Sequence, residues 1–281
     1  MKISAVVLTK DEEENIKRCL DSLGFCDEIL IIDDYSSDQT VEIAKNRRAV
    51  VFKRKLNNNF SAQRNFGLKK ASNKWVLFVD ADETVSPALS SEIVRRLKKS
   101  HGKQTTGFYF YRKDFFLGHS LNYGETSRVK LLRLAKKTAG RWEGKVHEEW
   151  KVKGRSEIMK NSLFHYSHEK LTDSLEKINF YTDIRAQELA DKGEGISLGQ
   201  IILYPLGKFL KNYFWHQGFR DGTAGIIFAL MMSFHSFLVR AKLWQLKKRK
   251  NSRGARALFF LIVVWVFYIF FRYLWLLGHW R

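Results

Sequence analysis

The sequence predicts an α/β protein with a mostly parallel sheet, followed by a helical module that associates with membranes. Three observations lead there. Strand-like and helix-like stretches alternate from residue 3 to residue 100. The strand-like stretches are apolar throughout instead of alternating, as in a parallel sheet covered on both faces. Basic charge and long apolar runs collect together at the C-terminal end.

In chain order, "ISAVVLT" (3–9) predicts a first strand and "DEEENIKRCLDSL" (11–23) a helix with Ile16, Leu20 and Leu23 on one face. "EILIIDD" (28–34) is a second buried strand, "TVEIAKN" (40–46) starts a helix, and "AVVFKR" (49–54) is a third strand. "SAQRNFGLKKAS" (61–72) is helical and "WVLFVDADE" (75–83) is the fourth strand. Residues 86–100 form a further helix, with Ser86 as N-cap and Pro87 at its first position. Residues 107–170 change to aromatic strands and short basic segments that complete a site. A polar helix is expected over 171–192. Cys19 and Cys26 are too few for a disulfide framework, and Cys19 on an amphipathic helix reads as a buried free thiol in a reducing compartment. The opening "MKISAVVLTKDEEE" is a strand and not a secretory signal.

The formal net charge is +20, and it is unevenly placed. Residues 201–281 hold 13 basic residues against a single acid, Asp221. "ALFFLIVVWVFYIFF" (257–271) is 15 apolar residues without interruption, and with the stretch to Gly278 it reaches the ~20 residues that cross a bilayer core. Eight Lys/Arg and no acid in 240–256 precede it, as on the inner flank of a membrane segment. The expected organisation is a domain over 1–170, a basic helical extension over 171–256 and a membrane helix over 257–278. Because the basic residues adjoin an apolar run, the expected partner is an anionic membrane surface and not nucleic acid.

Acids crowd the strand ends: Asp11 and Glu12 after strand one, Asp33 and Asp34 at strand two, Asp80 and Asp82 at strand four. In a parallel sheet these ends form the ligand side. Asp80 and Asp82 are two apart, so in extended chain both leave on one side. Hard oxygen donors at that spacing suit Mg²⁺ or Mn²⁺, and they also suit a turn that caps the next helix. No GxGxxG follows strand one and no GxxxxGK[ST] occurs, so neither a dinucleotide fold nor a P-loop is supported.

"AVVLTKDEEENIKRCLDSL", "DEILIIDDYSSDQTVEIA" and "NNNFSAQRNFGLKKASNKWVLFVDADETVSPAL", in that order over roughly residues 3–100, resemble the family-2 inverting glycosyltransferases. Within that family the chain most resembles the branch that adds glucose β-1,4 to lipopolysaccharide core heptose, and "VHEEW" and "FHYSH" fit that branch less specifically. The resemblance implies a GT-A, Rossmann-like nucleotide-sugar domain. It places Thr9 and Lys10 along the uridine, Glu12 near the nucleotide and Asp34 on the uracil ring nitrogen. Arg64 would approach base or phosphates, Asp80 would face ribose and metal, and Asp82 would bind the divalent cation that bridges the diphosphate. Glu148 is the candidate general base, although pairing with Arg141 or Lys145 is an equally structural use for it. His147 would orient Glu148, while His165 and His168 would hydrogen-bond within the fold. The QxxRW motif of processive members does not occur, which implies single addition.

The implied activity is transfer of a sugar, glucose by the branch resemblance, from a UDP-sugar to a lipid-linked saccharide such as lipopolysaccharide inner core. The implied location is the cytoplasmic face of the inner membrane. Transfer to a polyprenyl phosphate is the nearest alternative. A nucleotidyltransferase is a second, disfavoured because "LTKDEEEN" is acidic where a basic phosphate loop would follow strand one.

Overall fold

The computed structural model describes residues 1–99, 104–145, 148–168 and 170–248. The expected helix over 257–278, the basic residues from 249 on and His147 lie outside them. The described chain divides into two compact units, Met1–Leu171 with His216–Ile226, and Thr172–Trp215 with the residues from Ile227.

The first unit is built on a mixed sheet with the strand order β3-β2-β1-β4-β8-β6-β11-β5, with β7 paired to β6. Strands β1 (Ile3–Thr9), β2 (Glu28–Asp33), β3 (Val50–Lys53) and β4 (Trp75–Asp80) are all parallel, as their uniformly apolar sequences predicted. Helices α1 (Ile16–Asp21), α2 (Thr40–Asn46), α3 (Phe60–Lys70) and α4 (Pro87–Lys99) connect and cover them. Val6 and Val7 of β1 and Val76, Leu77 and Phe78 of β4 are fully buried, giving each face of the sheet its own apolar cluster. Ser86 accepts from the Leu89 amide at 3.2 Å, so it starts α4 as expected. Cys19 is a buried free thiol, and burial raises its pKa well above the usual thiol value.

Helix α3 begins where Asn59 accepts from the Ala62 amide at 2.9 Å. It lies very close to the sheet, because a Cβ on Gly67 would stand 2.5 Å from Val6 Cγ1 and 3.2 Å from Ile32 Cγ1.

The other half of the sheet comes from β5 (Glu83–Val85), β6 (Thr105–Phe116), β7 (His119–Ser120), β8 (Lys130–Lys136) and β11 (Arg155–His168). Strand β8 joins the parallel half by pairing antiparallel with β4. Strand β5 corrects the reading of "DADE" as one strand end: the chain turns after Asp80 and resumes as a strand antiparallel to β11. A separate hairpin, β9 (Gly140–Glu143) and β10 (Glu149–Val152), stacks Trp142 on Trp150 at 5.4 Å and sets both rings edge-on to Phe78.

The second unit contains nearly all of α5 (Leu171–Asp191), all of α6 (Leu198–Leu210) and most of the helical stretch α7 (Gly218–Lys248). By length and composition α7 is the one helix among the described residues able to cross a bilayer.

Candidate functional site at the carboxyl ends of the strands

Sheet register assembles the site. Thr9 pairs with Asp33 across β1 and β2, and Leu8 pairs with Asp80 across β1 and β4, so three acid-bearing strand ends lie side by side. Across β6, β11 and β5, Asp114, His165 and Glu83 fall in one row.

Two buried arginines offset this negative charge. Arg64 projects from α3 and lies 5% exposed. Its Nη2 is 2.9 Å from Asp80 Oδ1, and its Nε donates to Glu148 Oε1 at 2.7 Å. The guanidinium lies 4.7 Å over the Trp142 ring, and the next residue, Asn65, exchanges two hydrogen bonds with the Trp142 backbone at 2.8 and 2.9 Å. Consecutive positions of one helix turn thus hold the acids and clamp the hairpin.

Arg133 of β8 donates to Asp80 Oδ2 at 2.6 Å and Glu83 Oε1 at 3.0 Å. Glu83 Oε2 also accepts from the Asp80 amide at 2.9 Å. Burial alone would raise the Asp80 pKa; Arg133 and Arg64 outweigh it and hold the carboxyl at about 2. Glu83 moves the other way, because burial and the Asp80 charge outweigh Arg133. For Arg133, the two carboxylates outweigh desolvation and raise the pKa.

The strand stops at Asp80, and Asp82 Oδ2 faces His165 Nε2 at 3.5 Å. His165 Nδ1 is 2.5 Å from Asp114 Oδ1. Burial would lower the His165 pKa, but Asp82 and Asp114 outweigh it and bring the value to about 10.

The remaining expected residues sit around this centre. Thr9 Oγ1 and Arg64 Nη1 are buried with no hydrogen-bond partner among the described residues. Lys10 Nζ donates to the Tyr35 carbonyl at 2.7 Å. Glu12 accepts from Asn15 at 2.8 Å, and its amide donates to Thr40 Oγ1. Asp34 Oδ1 accepts from the Leu56 amide at 2.9 Å. The structure therefore brings Asp80 and Glu148 each into direct contact with Arg64, with Asp82 two residues beyond Asp80. Lys10, Glu12 and Asp34 hold neighbouring loops. Glu148 pairs with Arg64, and not with Arg141, which takes Glu143.

Sequence reasoning missed Arg133, Glu83 and Asp114. Their signal was present only for Arg133, a charge inside the apolar run "LLRLA" of a strand. The protein supplies a second guanidinium of its own.

Among the described residues no group of three or more His, Cys, Asp or Glu side chains is gathered to hold a metal ion. His165, held protonated between Asp82 and Asp114, donates from both ring nitrogens and is not a metal ligand in this state.

The sequence profile described as Glycosyl transferase family 2 matches residues 4–149. The chain is 27% identical over 265 residues to the lipopolysaccharide core biosynthesis glycosyltransferase LpsC of Rhizobium meliloti (strain 1021), an alignment covering 91% of this chain and 97% of that protein. Among solved structures it is similar to S. aureus TarS 1–349 in complex with UDP-GlcNAc, at 17% identity and a TM-score of 0.44, covering 88% of this chain and 92% of that one. It is also similar to glucosyl-3-phosphoglycerate synthase from Mycobacterium tuberculosis in complex with Mn²⁺, UDP and phosphoglyceric acid. That match has 17% identity, a TM-score of 0.44, and coverage of 70% of this chain and 80% of that one.

Proposed function

Given that the chain belongs to glycosyl transferase family 2, we propose that it is a metal-dependent inverting enzyme that moves a sugar, glucose in our reading, from a UDP-sugar to a lipid-linked saccharide. The acceptor class we assign is lipopolysaccharide inner core, at the cytoplasmic face of the inner membrane, supported by the 27% identity to LpsC over nearly its full length. In this reading residues 1–170 are the catalytic domain, 171–256 its basic extension and 257–278 the membrane helix.

The observation that carries the reading is the contact of one buried arginine with both Asp80 and Glu148. It ties the donor side of the site to the proposed base. Thr9 and Lys10 border the uridine, Glu12 and Asp34 frame the nucleotide from the adjoining loops, and Asp80 meets the ribose. The partnerless Thr9 Oγ1 and Arg64 Nη1 are polar atoms ready for a ligand.

Inversion needs a base on the face opposite the leaving group. Glu148 takes the proton from the acceptor hydroxyl as that oxygen bonds to the anomeric carbon and the bond to the UDP oxygen breaks. Arg64 fixes Glu148 Oε1, so the carboxylate enters the reaction already oriented. Asp82 would hold the divalent cation. When bound, it neutralises charge on the departing diphosphate.

The test is transfer by the full chain in vesicles, from a panel of nucleotide sugars with Mg²⁺ or Mn²⁺, to truncated core acceptors and to polyprenyl phosphate. The expected product is one β-linked sugar on the core acceptor. Sugar found only on polyprenyl phosphate, or no transfer to either, would overturn the reading.

A further inference from the structure

Helix α6 is fixed at its start by a reciprocal cap. Ser197 Oγ accepts from the Gln200 amide at 3.3 Å, and Gln200 Oε1 accepts from the Ser197 amide at 2.9 Å. One side is held within the second unit. Ser233 Oγ donates to the Pro205 carbonyl at 2.8 Å, and the Arg240 guanidinium lies 3.9 Å over the Tyr204 ring.

Among the described residues nothing covers the other side. Leu198, Ile202, Leu206 and Leu210 follow one another at four-residue spacing and are 45–73% exposed. Phe214 and Trp215, in the wide turn Lys211–Trp215, continue the exposure, and Trp215 is the most open at 81%. On α7, Leu230, Phe234 and Phe237 are exposed as well. An apolar surface of this extent marks a binding face.

Charge decides among the occupants. No acid occurs between Ile196 and Arg220, while Lys208 and Lys211 border the stripe. The chain's own apolar tail, residues 249–281, carries six basic residues and no acid. A second copy of this region is equally basic. Either occupant would set like charges against each other, whereas an anionic bilayer meets the apolar stripe and the lysines together. Tyr213, Phe214 and Trp215 at one end suit the level of the headgroups.

We propose that α6 and the turn Lys211–Trp215 lie in the headgroup plane of an anionic phospholipid bilayer, with Leu198, Ile202, Leu206 and Leu210 facing the acyl chains. This contact is separate from any helix over 257–278, and it rests on the membrane-bound reading given above.

The test labels full-length Leu206→Cys with an environment-sensitive fluorophore and reconstitutes it with phosphatidylglycerol-containing or purely phosphatidylcholine vesicles. The expected result is quenching by brominated acyl chains in the phosphatidylglycerol vesicles, and clearly less in phosphatidylcholine. Equal quenching in both overturns the anionic partner. A label shielded from water yet unquenched by lipid means that protein covers α6, and a label left in water means that nothing does; both overturn the proposal. A second variant, Ile202→Glu with Leu206→Glu, should lower transfer to vesicle-embedded acceptor by about tenfold or more and spare transfer to a lipid-free core saccharide. Equal transfer to the embedded acceptor by this variant and wild type overturns the proposal. Absence of transfer to any acceptor counts against the enzymatic reading, while the quenching result still decides the place of α6.

Discussion

Arg64 Nε donates to Glu148 Oε1 at 2.7 Å while Nη2 of the same guanidinium stands 2.9 Å from Asp80 Oδ1. One side chain therefore neutralises two carboxylates that lie 68 positions apart in the chain. Removing it leaves both beside a buried vacancy. Arg64→Met should lower stability by about 3–5 kcal/mol, as for one partner of a buried ion pair. Arg64→Lys should recover only part of this, since one ammonium lacks the planar fork. Urea denaturation measures both; a loss below about 1 kcal/mol in Arg64→Met would show the pairing to be incidental.

Glu148→Gln keeps the size and one acceptor oxygen for Arg64 but has no basicity. We expect transfer to fall by about 10²–10⁴-fold with nucleotide-sugar affinity close to wild type. Turnover on acceptor and donor binding by calorimetry separate the two. Loss of donor binding would make Glu148 a structural partner of Arg64 and nothing more.

Asp82→Ala should abolish Mn²⁺ binding, read by electron paramagnetic resonance, and should remove metal-stimulated transfer. It also removes the charge that holds His165 protonated, so the imidazole titration should move down from about 10. Nitrogen-detected NMR of His165 follows that shift without any catalytic assay. Full metal-dependent transfer by Asp82→Ala would overturn the metal assignment.

Glu83 gives a pH prediction. Its folded pKa is raised above 4.5 by burial and by Asp80. The folded state thus favours the protonated carboxyl, a contribution fully present below 4.5 and lost as pH rises through the folded value. Glu83→Gln mimics the protonated form and keeps one acceptor oxygen, for Arg133 or for the Asp80 amide but not for both. It should be more stable than wild type at neutral pH, with the difference disappearing in acid. Denaturation curves at several pH values decide; a variant less stable at neutral pH would show that Arg133 needs the charge.

The parallel half of the fold was legible because each strand announces itself locally: "AVVL", "ILII" and "WVLFV" are apolar on both faces and are followed by helical periodicity. Residues 107–168 were legible only as strand-like, since the partners of β6, β8 and β11 are set by long-range register. That is why Arg133 and Asp114 went unassigned, whereas His165 hydrogen-bonds within the fold as expected, to Asp114. Asp80 and Asp82 were recognised as acids of one motif, but spacing could not reveal that the strand ends at Asp80 or that Asp82 meets His165. Arg64 came from resemblance. Its burial against Trp142 and Glu148 depends on a hairpin that begins more than 70 residues later.

Gly67 stands three residues after Arg64 on the same helix, pressed against Val6 and Ile32. A side chain there would lift α3 from the sheet and carry the Arg64 fork away from Asp80, and displacements of about 1 Å can lower rates by about 10²-fold. The position meets no substrate, yet a mutational scan scored on sugar transfer alone would file it with the active-site residues. Only a parallel scan of abundance or melting would separate a shifted helix from a lost catalytic group.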